Sequence, residues 1–211
     1  NSKLGAYGTT IDWSVPVNYR KGNDKEMADL VSKMDAGQVG ALLIFGANPA
    51  YSFYDAGKFR SAINKVKLSV SFGEKMDETT ELCNYIIPTH HYLESWGDAE
   101  AKAGHVSFLQ PTINSLFKTR YFQTALLKWA GDTRDYETYF KEYWKGKLGG
   151  TEEAFNTALQ NGFIPVAASA VSGGSYNGGA VAVAAAAIGL QKAGGNTELV
   201  IYQKVSIGTG K

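Results

Sequence analysis

The chain has 211 residues, of which 44% are apolar, and its 21 basic and 20 acidic residues give a formal net charge of +1. This length predicts one large domain or one and a half smaller ones, and the apolar content excludes a disordered chain. The balanced charge argues against a nucleic-acid-binding protein, and the single cysteine, Cys83, excludes an internal disulfide framework, a four-cysteine iron–sulfur cluster and a zinc ribbon.

The first half of the chain alternates between helix and strand patterns. Apolar side chains at helical spacing predict a helix that begins at Asn23 and ends at Gly37. The apolar run over residues 39–45 is too short for a helix and predicts a strand buried on both faces, as in a parallel sheet. The alternation then repeats with a helix at 55–66, a strand at 68–72, a short helix at 77–83 and a strand at 85–87. This order favours an α/β fold with a mostly parallel sheet and right-handed crossovers.

The second half is mainly helical and then changes in composition. Aromatic side chains at helical spacing predict core-forming helices from Thr119 onward, and Thr151 is a candidate cap of a further helix. Ala, Gly, Ser and Val dominate residues 166–195, which we interpret as a loop or weakly ordered insertion. The apolar part of this insertion is about half as long as the roughly 20 residues of a membrane span. The alternating pattern of residues 198–207 predicts a strand.

The segment Gly46-Ala47-Asn48-Pro49 directly follows a predicted buried strand. Ligands of open α/β sheets bind beyond the carboxyl ends of strands, where glycine admits a ligand close to the backbone and asparagine offers a donor and an acceptor. The same residues are common in ordinary strand-to-helix turns, so both interpretations stay open. The chain contains neither G-x-G-x-x-G nor G-x-x-x-x-G-K-[ST], and a dinucleotide or Walker-type phosphate loop therefore has no support.

A polar cluster follows that segment, and its members are His90, His91, Glu94, Asp98, Glu100 and His105. Imidazole and carboxylate groups suit zinc or iron, but the spacing matches no zinc motif. We interpret the cluster as a solvated polar loop, with acid–base chemistry by Glu94 and a histidine as the alternative. Cys83 has no neighbouring base in the sequence and is interpreted as a buried structural thiol.

Four ordered motifs carry a resemblance to a known family. They are Leu42-Leu43-Ile44-Phe45-Gly46-Ala47-Asn48-Pro49, Met76-Asp77-Glu78-Thr79-Thr80-Glu81-Leu82, Tyr85-Ile86-Ile87-Pro88 and Glu94-Ser95-Trp96-Gly97. The series resembles the second Rossmann-like domain of the molybdopterin oxidoreductases of the dimethyl-sulfoxide-reductase type, where G-x-N-P, E-T-A, V-L-P and E-x-x-G motifs follow one another. The resemblance is strongest over residues 38–131. Residues 90–100 and 110–113 look most similar to the molybdopterin-oxidoreductase-like subunit of bacterial alternative complex III.

This resemblance implies a three-layer Rossmann-like domain at residues 1–150. Residues 151–211 are then expected to hold a helix, the Gly/Ala-rich insertion and a strand that leads to a missing C-terminal domain of a longer protein. The resemblance assigns no catalytic residue and no metal ligand to the chain. It places five residues at the family's cofactor-binding positions, namely Gly46, Asn48, Pro49, Glu94 and Gly97.

The chain departs from the family after the E-x-x-G turn. Cofactor-binding relatives usually continue with T-x-x-N-x-E-G-R, whereas the corresponding positions here are Asp98, Ala101, Ala103, Gly104 and His105. Asparagine, glutamate and arginine are replaced, and each lost partner costs a buried guanine or diphosphate about 1–3 kcal/mol. We therefore expect a structural domain without bound molybdenum cofactor.

Two alternatives to this structural role stay open. The first is a catalytic molybdenum oxidoreductase in which the chain binds molybdopterin guanine dinucleotide. The second is an unrelated small-molecule hydrolase or binder that uses His90, His91 and Glu94.

Partners and location follow from the resemblance alone. It implies that the domain belongs to a respiratory, quinol-oxidising electron-transfer complex, with other subunits and the remainder of its own chain as partners. Nucleic acid and a direct membrane span are not expected. Iron–sulfur clusters are expected only in other parts of the full-length protein, and the expected location is the periplasmic side of the bacterial inner membrane.

Overall fold

The computed structural model describes residues 1–18, 22–167, 177–190, 194–195, 197 and 202. The chain divides into two compact units, one formed by Val17–Ala168 and the other by Asn1–Pro16 together with Ser169–Lys211. The domain boundary expected between residues 150 and 151 stays a prediction.

A small parallel sheet lies in the first part of the larger unit. Its strands are β1 (Ala41–Phe45), β2 (Leu68–Phe72) and β3 (Tyr85–Ile86), in the order β1-β2-β3. Leu43 of β1 lies opposite Val70 of β2, and Val70 lies opposite Tyr85 of β3. These strands confirm the three strands that the sequence predicts in this region.

Helices connect and cover these strands. They are α1 (Asp24–Asp35), α2 (Pro49–Ser52) and α3 (Ala56–Ile63), followed by a 3-10 turn at Thr80–Leu82. The side chain of Asn23 accepts hydrogen bonds from the first turn of α1, and the chain leaves α1 at Gly37, whose φ of +69° favours glycine. Apolar residues of the three helices pack against β1 in one core: Val31, Met34, Ile44, Ala50, Phe59, Ala62, Ile63 and Val66. The α/β alternation is therefore confirmed.

Strand β1 is not buried on both faces, which corrects the prediction for residues 39–45. Ile44 faces the core, whereas Leu43 and Phe45 are 42% and 49% exposed. The ring of Phe45 stacks on Phe122 at 4.5 Å between centroids. Because β1 is an edge strand within the described residues, a continuous apolar run here forms one buried and one half-exposed face.

A second, separate sheet is antiparallel, and the sequence does not predict it. It consists of β4 (Gly97–Lys102), β5 (His105–Leu109) and β6 (Ile164–Pro165), in the order β4-β5-β6. Part of the stretch that we interpreted as a solvated polar loop thus forms the β4–β5 hairpin. The sequence pattern does not indicate strand β4, because the side chains of β4 are mostly polar and exposed.

Three further helices complete this unit, as the aromatic stripes predict. They are α4 (Phe122–Trp129), α5 (Tyr136–Lys147) and α6 (Glu152–Asn161), and Thr151 caps α6. Side chains of α5 and α6 pack against the second sheet in a core of Val106, Phe140, Trp144, Phe155, Ala158 and Ile164. The interpretation of the aromatic stripes as core is confirmed for Phe140 and Trp144.

The smaller unit contains a 3-10 turn at Ser2–Leu4 and the helix α7 (Gly178–Gly189). Helix α7 corrects our interpretation of residues 166–195 as a loop, because alanine has the highest helix propensity and Asn177 caps the first turn. The strand expected at 198–207 lies outside the described residues apart from Tyr202. In the part of the chain that the structure describes, no helix is both long and apolar enough to cross a membrane.

Candidate functional site

The candidate site lies at the carboxyl edge of the parallel sheet. Because the three strands run in the same direction, the segments that follow them emerge at this one edge. Residues 46–49 follow β1, residues 73–80 follow β2, and residues 88–94 follow β3. The topology therefore brings the two predicted cofactor segments to the same edge.

Gly46 and Pro49 shape the turn after β1. Gly46 has a φ of +63°, which L side chains rarely adopt, and beyond its two chain neighbours nothing in the described residues lies within 4 Å of the place that a Cβ would occupy. Pro49 is the first residue of α2, where its missing N–H leaves no hydrogen bond unmade. The turn thus leaves open space beside the backbone of Gly46.

Asn48 is buried and joins this turn to the segment after β2. Its Nδ2 donates to Glu78 Oε2 at 2.7 Å, and its Oδ1 accepts from Thr79 Oγ1 at 2.7 Å. Thr79 Oγ1 in turn accepts from the backbone N–H of Ala50 at 2.9 Å. The hydrogen bond from Asn48 lowers the pKa of the Glu78 carboxyl. The amide nitrogen and the amide oxygen of Asn48 therefore both have hydrogen-bond partners within the chain.

Hydroxyl groups pack closely beside this network. Ser71 Oγ and Thr80 Oγ1 are 2.8 Å apart, and the backbone N–H of Thr80 donates to Asp77 Oδ1 at 2.8 Å. A Cβ on Gly73 would lie 2.9 Å from Thr80 Oγ1, so a larger residue there would force the segment to move. The segment after β2 is tightly fixed.

Sequence reasoning did not identify these partners as site residues. Glu78, Thr79 and Thr80 belong to the second of the family-like motifs, but the sequence indicates no contact for them. The available signal was the run of polar residues that follows a buried strand, which is the position where ligand and loop contacts concentrate in open α/β sheets.

Glu94 is a buried carboxylate that ties two loops together. Its Oε2 accepts from the backbone N–H of His91 at 3.1 Å, and its Oε1 accepts from the backbone N–H of Leu116 at 3.0 Å. These hydrogen bonds, with that of Leu116 as the largest cause, lower the pKa of the Glu94 carboxyl. Gly97, the other family position in this segment, is the first residue of β4 and lies against Leu109. The Glu94 carboxylate also caps the 3-10 turn at Tyr92–Glu94.

His90 lies beside Glu94, with three oxygen atoms around one ring nitrogen. Its Nδ1 is 2.6 Å from Thr119 Oγ1, 2.9 Å from Ser115 Oγ and 3.7 Å from Glu94 Oε2. Burial lowers the pKa of His90, which favours the neutral imidazole. In a hydrolase triad the nucleophile and the carboxylate lie at opposite ring nitrogens of the histidine. Here the Ser115 hydroxyl and the Glu94 carboxylate both lie at Nδ1 of His90.

The other members of the polar cluster have local structural partners. His91 Nδ1 accepts from the backbone N–H of Leu93 at 3.3 Å, and the ring of His105 stacks on Phe163. Among the described residues, no group of three His, Cys, Asp or Glu side chains is placed to hold a metal ion. The structure brings His90 and Glu94 together and gives His105 a different setting in the second sheet.

The β4–β5 hairpin occupies the positions where the family pattern is lost. Asp98 Oδ2 accepts from Trp144 Nε1 at 2.7 Å, and Glu100 Oε1 accepts from the backbone N–H of Gly104 at 2.8 Å. Ala103 is buried, and Gly104 turns the chain with a φ of +80°. Polar atoms of this hairpin are thus used to hold the hairpin on α5 and to close its turn.

A cleft of about 610 Å³ lies beside this hairpin. Its walls include Asp98, Glu100, Tyr143, Trp144 and Lys147. None of the five predicted cofactor-binding residues lines it.

Cys83 is half-buried at the end of the turn after β2. Its Sγ donates to the carbonyl oxygen of Thr79 at 3.4 Å, and burial raises the pKa of the thiol. A raised pKa keeps the group protonated near neutral pH, and only the thiolate is a good nucleophile. The geometry agrees with a structural thiol.

Comparison with known proteins shows a similarity over part of the chain. The chain is 30% identical over 95 residues to the menaquinone reductase, molybdopterin-binding-like subunit, of Nitratidesulfovibrio vulgaris. The match covers 43% of this chain and 14% of the relative. No family model matches the chain. The similarity supports a relation to molybdopterin-oxidoreductase-like proteins.

Proposed function

We propose that the chain is a structural, molybdopterin-oxidoreductase-like domain of a quinone-linked electron-transfer complex, without bound molybdenum. The similarity to a subunit of a menaquinone reductase supports the quinone link. The same proposal includes a relation to the subunit of alternative complex III and a location on the periplasmic side of the membrane. It also includes contacts with other subunits and with the remainder of its own chain.

The proposal includes a three-layer Rossmann-like arrangement of the parallel sheet. Helices α1 and α3 pack on one core with β1. On β2, Val70 and Phe72 pack with Phe122 and Ala125 of α4. These two separate clusters support helical layers on both faces of the sheet.

One observation carries the structural role: the polar atoms at the cofactor positions already have partners in the chain. The Asn48 amide is held by Glu78 and Thr79, and the Glu94 carboxylate is held by two backbone N–H groups. A pterin dinucleotide would have to displace these bonds and would leave buried groups unpaired. This internal pairing supports a domain that does not hold the cofactor.

A catalytic molybdenum oxidoreductase is the second candidate function. The open space beside Gly46 favours it, because a ligand can approach the backbone there. Molybdenum content separates the two candidates.

A hydrolase built on His90, His91 and Glu94 receives less support from the geometry. Ser115 and Glu94 approach the same nitrogen of His90, and Glu94 is held by the backbone. This arrangement supports a structural role for the three residues.

The structural role is tested with Asn48→Ala in the full-length protein within its native membranes. We expect the assembled complex to keep its quinone-linked electron-transfer turnover within about twofold, since the side chain contacts no reacting group. Turnover is measured per assembled complex, so that lower yield of the variant does not affect the result. A hundredfold loss of turnover in a complex of normal composition would contradict the proposal.

A further inference from the structure

Residues 114–119 form a short segment that lies between two backbone anchors. On one side, the backbone N–H of Thr112 donates to the carbonyl oxygen of Leu93 at 2.7 Å. On the other side, the backbone N–H of Arg120 donates to the carbonyl oxygen of Pro88 at 3.2 Å. We call residues 114–119 the bridging segment, because they connect these two anchors.

Two titratable side chains hold the bridging segment between its anchors. The Glu94 carboxylate accepts from the backbone N–H of Leu116 at 3.0 Å, and the His90 imidazole lies within hydrogen-bond distance of two hydroxyls, those of Ser115 and Thr119. Among the described residues, the hydrogen bonds that reach the bridging segment from outside it come from these two side chains. The large apolar side chains of the segment are exposed and add little burial to this hold.

The His90 ring is enclosed and has little room for a positive charge. Its side chain is 13% exposed, its Nδ1 lies against the two hydroxyls, and its ring edge contacts Tyr121 at 4.6 Å between centroids. Glu94 Oε2 is 3.7 Å from Nδ1, which is longer than a hydrogen bond. Both Glu94 oxygens already accept from backbone N–H groups. A proton added to His90 therefore places a charge where no carboxylate lies within hydrogen-bond distance.

Two movements would relieve this charge, and both weaken the hold on the bridging segment. In the first, the Glu94 carboxylate approaches Nδ1 and lengthens its hydrogen bond to the backbone of Leu116. In the second, the bridging segment moves away, so that water reaches the ring. The held form thus fits a neutral imidazole better than a protonated one.

We propose that His90, Glu94 and the bridging segment form a pH-sensitive clasp, which is closed while His90 is neutral and releases residues 114–119 when His90 is protonated. The inference goes beyond the proposed function and depends neither on the cofactor nor on the quinone link.

The direction of the pH dependence follows from the setting of His90. Burial lowers the pKa of His90, and the nearby Glu94 carboxylate opposes this effect. In the released form the ring is in water, where the pKa of histidine is about 6.5. The released form therefore binds the proton more tightly. The closed clasp is favoured above about pH 6.5 and loses stability as pH falls from there through the lowered pKa.

The other titratable groups around His90 belong to three places in the chain. Glu94 lies on its own segment, and its pKa is lowered, so it stays ionised in this pH range. Tyr121 precedes α4, and burial raises its pKa, so it stays neutral. Two exposed cations lie in or beside the bridging segment: Lys118 and Arg120. A change near pH 6 is therefore assigned to a histidine.

Trypsin cleavage after Lys118 measures the release, because Lys118 lies inside the bridging segment. The full 211-residue chain and a synthetic peptide of residues 112–122 are digested in parallel at pH 7.5 and pH 5.5. The peptide corrects for the pH dependence of trypsin itself. We expect the ratio of the chain's cleavage rate to the peptide's rate to rise about threefold to tenfold at the lower pH. The midpoint of this rise should match that of the His90 ring protons in nuclear magnetic resonance spectra.

Substitutions of three histidines separate the clasp from other causes. His90→Asn keeps a polar group near the two hydroxyls but does not titrate, and its ratio is expected to stay constant with pH. His91→Asn and His105→Gln are the matched controls and are expected to keep the pH dependence of the wild type. Circular dichroism checks the fold of each variant.

Three results would overturn the proposal. They are a ratio that is independent of pH in the wild type, a pH dependence that persists in His90→Asn, and a cleavage midpoint more than about one pH unit from that of the His90 ring. The last comparison uses the wild type alone and decides the question even where a variant fails to fold.

Discussion

At the scale of single residues, the candidate site depends on polar contacts between segments that are distant in sequence. The sequence marks Asn48 as a ligand-type residue after a strand, and this position is predictable from the strand pattern. Its partner Thr79 lies 31 residues later, and no local pattern indicates that the two side chains meet. Residue type and position are thus predictable here, whereas the pairing depends on the tertiary fold.

The substitution Thr79→Val tests the Asn48 network. Valine keeps the volume of this fully buried side chain but removes the hydroxyl that binds Asn48 Oδ1 and the N–H of Ala50. We expect the free energy of unfolding to fall by about 1–3 kcal/mol, because both groups lose a buried partner. Urea denaturation measures the change. Thr157→Val, on the exposed face of α6, is the control and should change stability by less than about 0.5 kcal/mol.

The pH dependence of stability tests the role of Glu94. Its pKa is lower in the folded chain than the ordinary value of about 4.3, so its stabilising effect is present above that pH and is lost as pH falls through the lowered pKa. We expect Glu94→Gln to be less stable than the wild type at pH 7 and the difference to shrink below about pH 4. Unfolding curves between pH 7 and pH 3 measure it. A constant difference across this range would contradict the structural assignment, and Glu153→Gln on the surface of α6 is the control.

At the scale of elements, hydrophobic periodicity predicts the buried helices and the central strand of the parallel sheet. Helix α1 and strand β2 form where the pattern predicts them, because both present regular apolar faces to a core. Strand β4 was missed since its polar side chains show no alternation between a buried and an exposed face. Helix α7 was missed because an alanine-rich segment has helix propensity without an amphipathic pattern.

Asp98→Ala tests whether the hairpin has a structural function. The substitution removes the acceptor of the Trp144 Nε1–H, and Trp144 is a buried residue of the second core. We expect a loss of about 1–2 kcal/mol in the free energy of unfolding. Asp98→Asn keeps an acceptor oxygen and should restore most of the stability. Equal effects of the two substitutions in urea denaturation would show that this hydrogen bond does not hold the hairpin.

At the scale of the whole molecule, charge and composition agree with a domain that works among other subunits. The single cysteine cannot by itself supply the four thiolates of an iron–sulfur cluster. The relative that it matches is much longer, since the match covers 14% of that protein. The proposed function therefore predicts that the electron-carrying groups of the complex lie outside this chain.

The most direct test of the central claim is the molybdenum and pterin content of the purified full-length protein. Elemental analysis gives molybdenum per chain, and acid oxidation releases any bound pterin as a fluorescent product. We expect neither component above trace level, because the polar atoms at the cofactor positions are already bound within the chain. About one molybdenum and a matching amount of pterin per chain would contradict it and would establish the catalytic alternative.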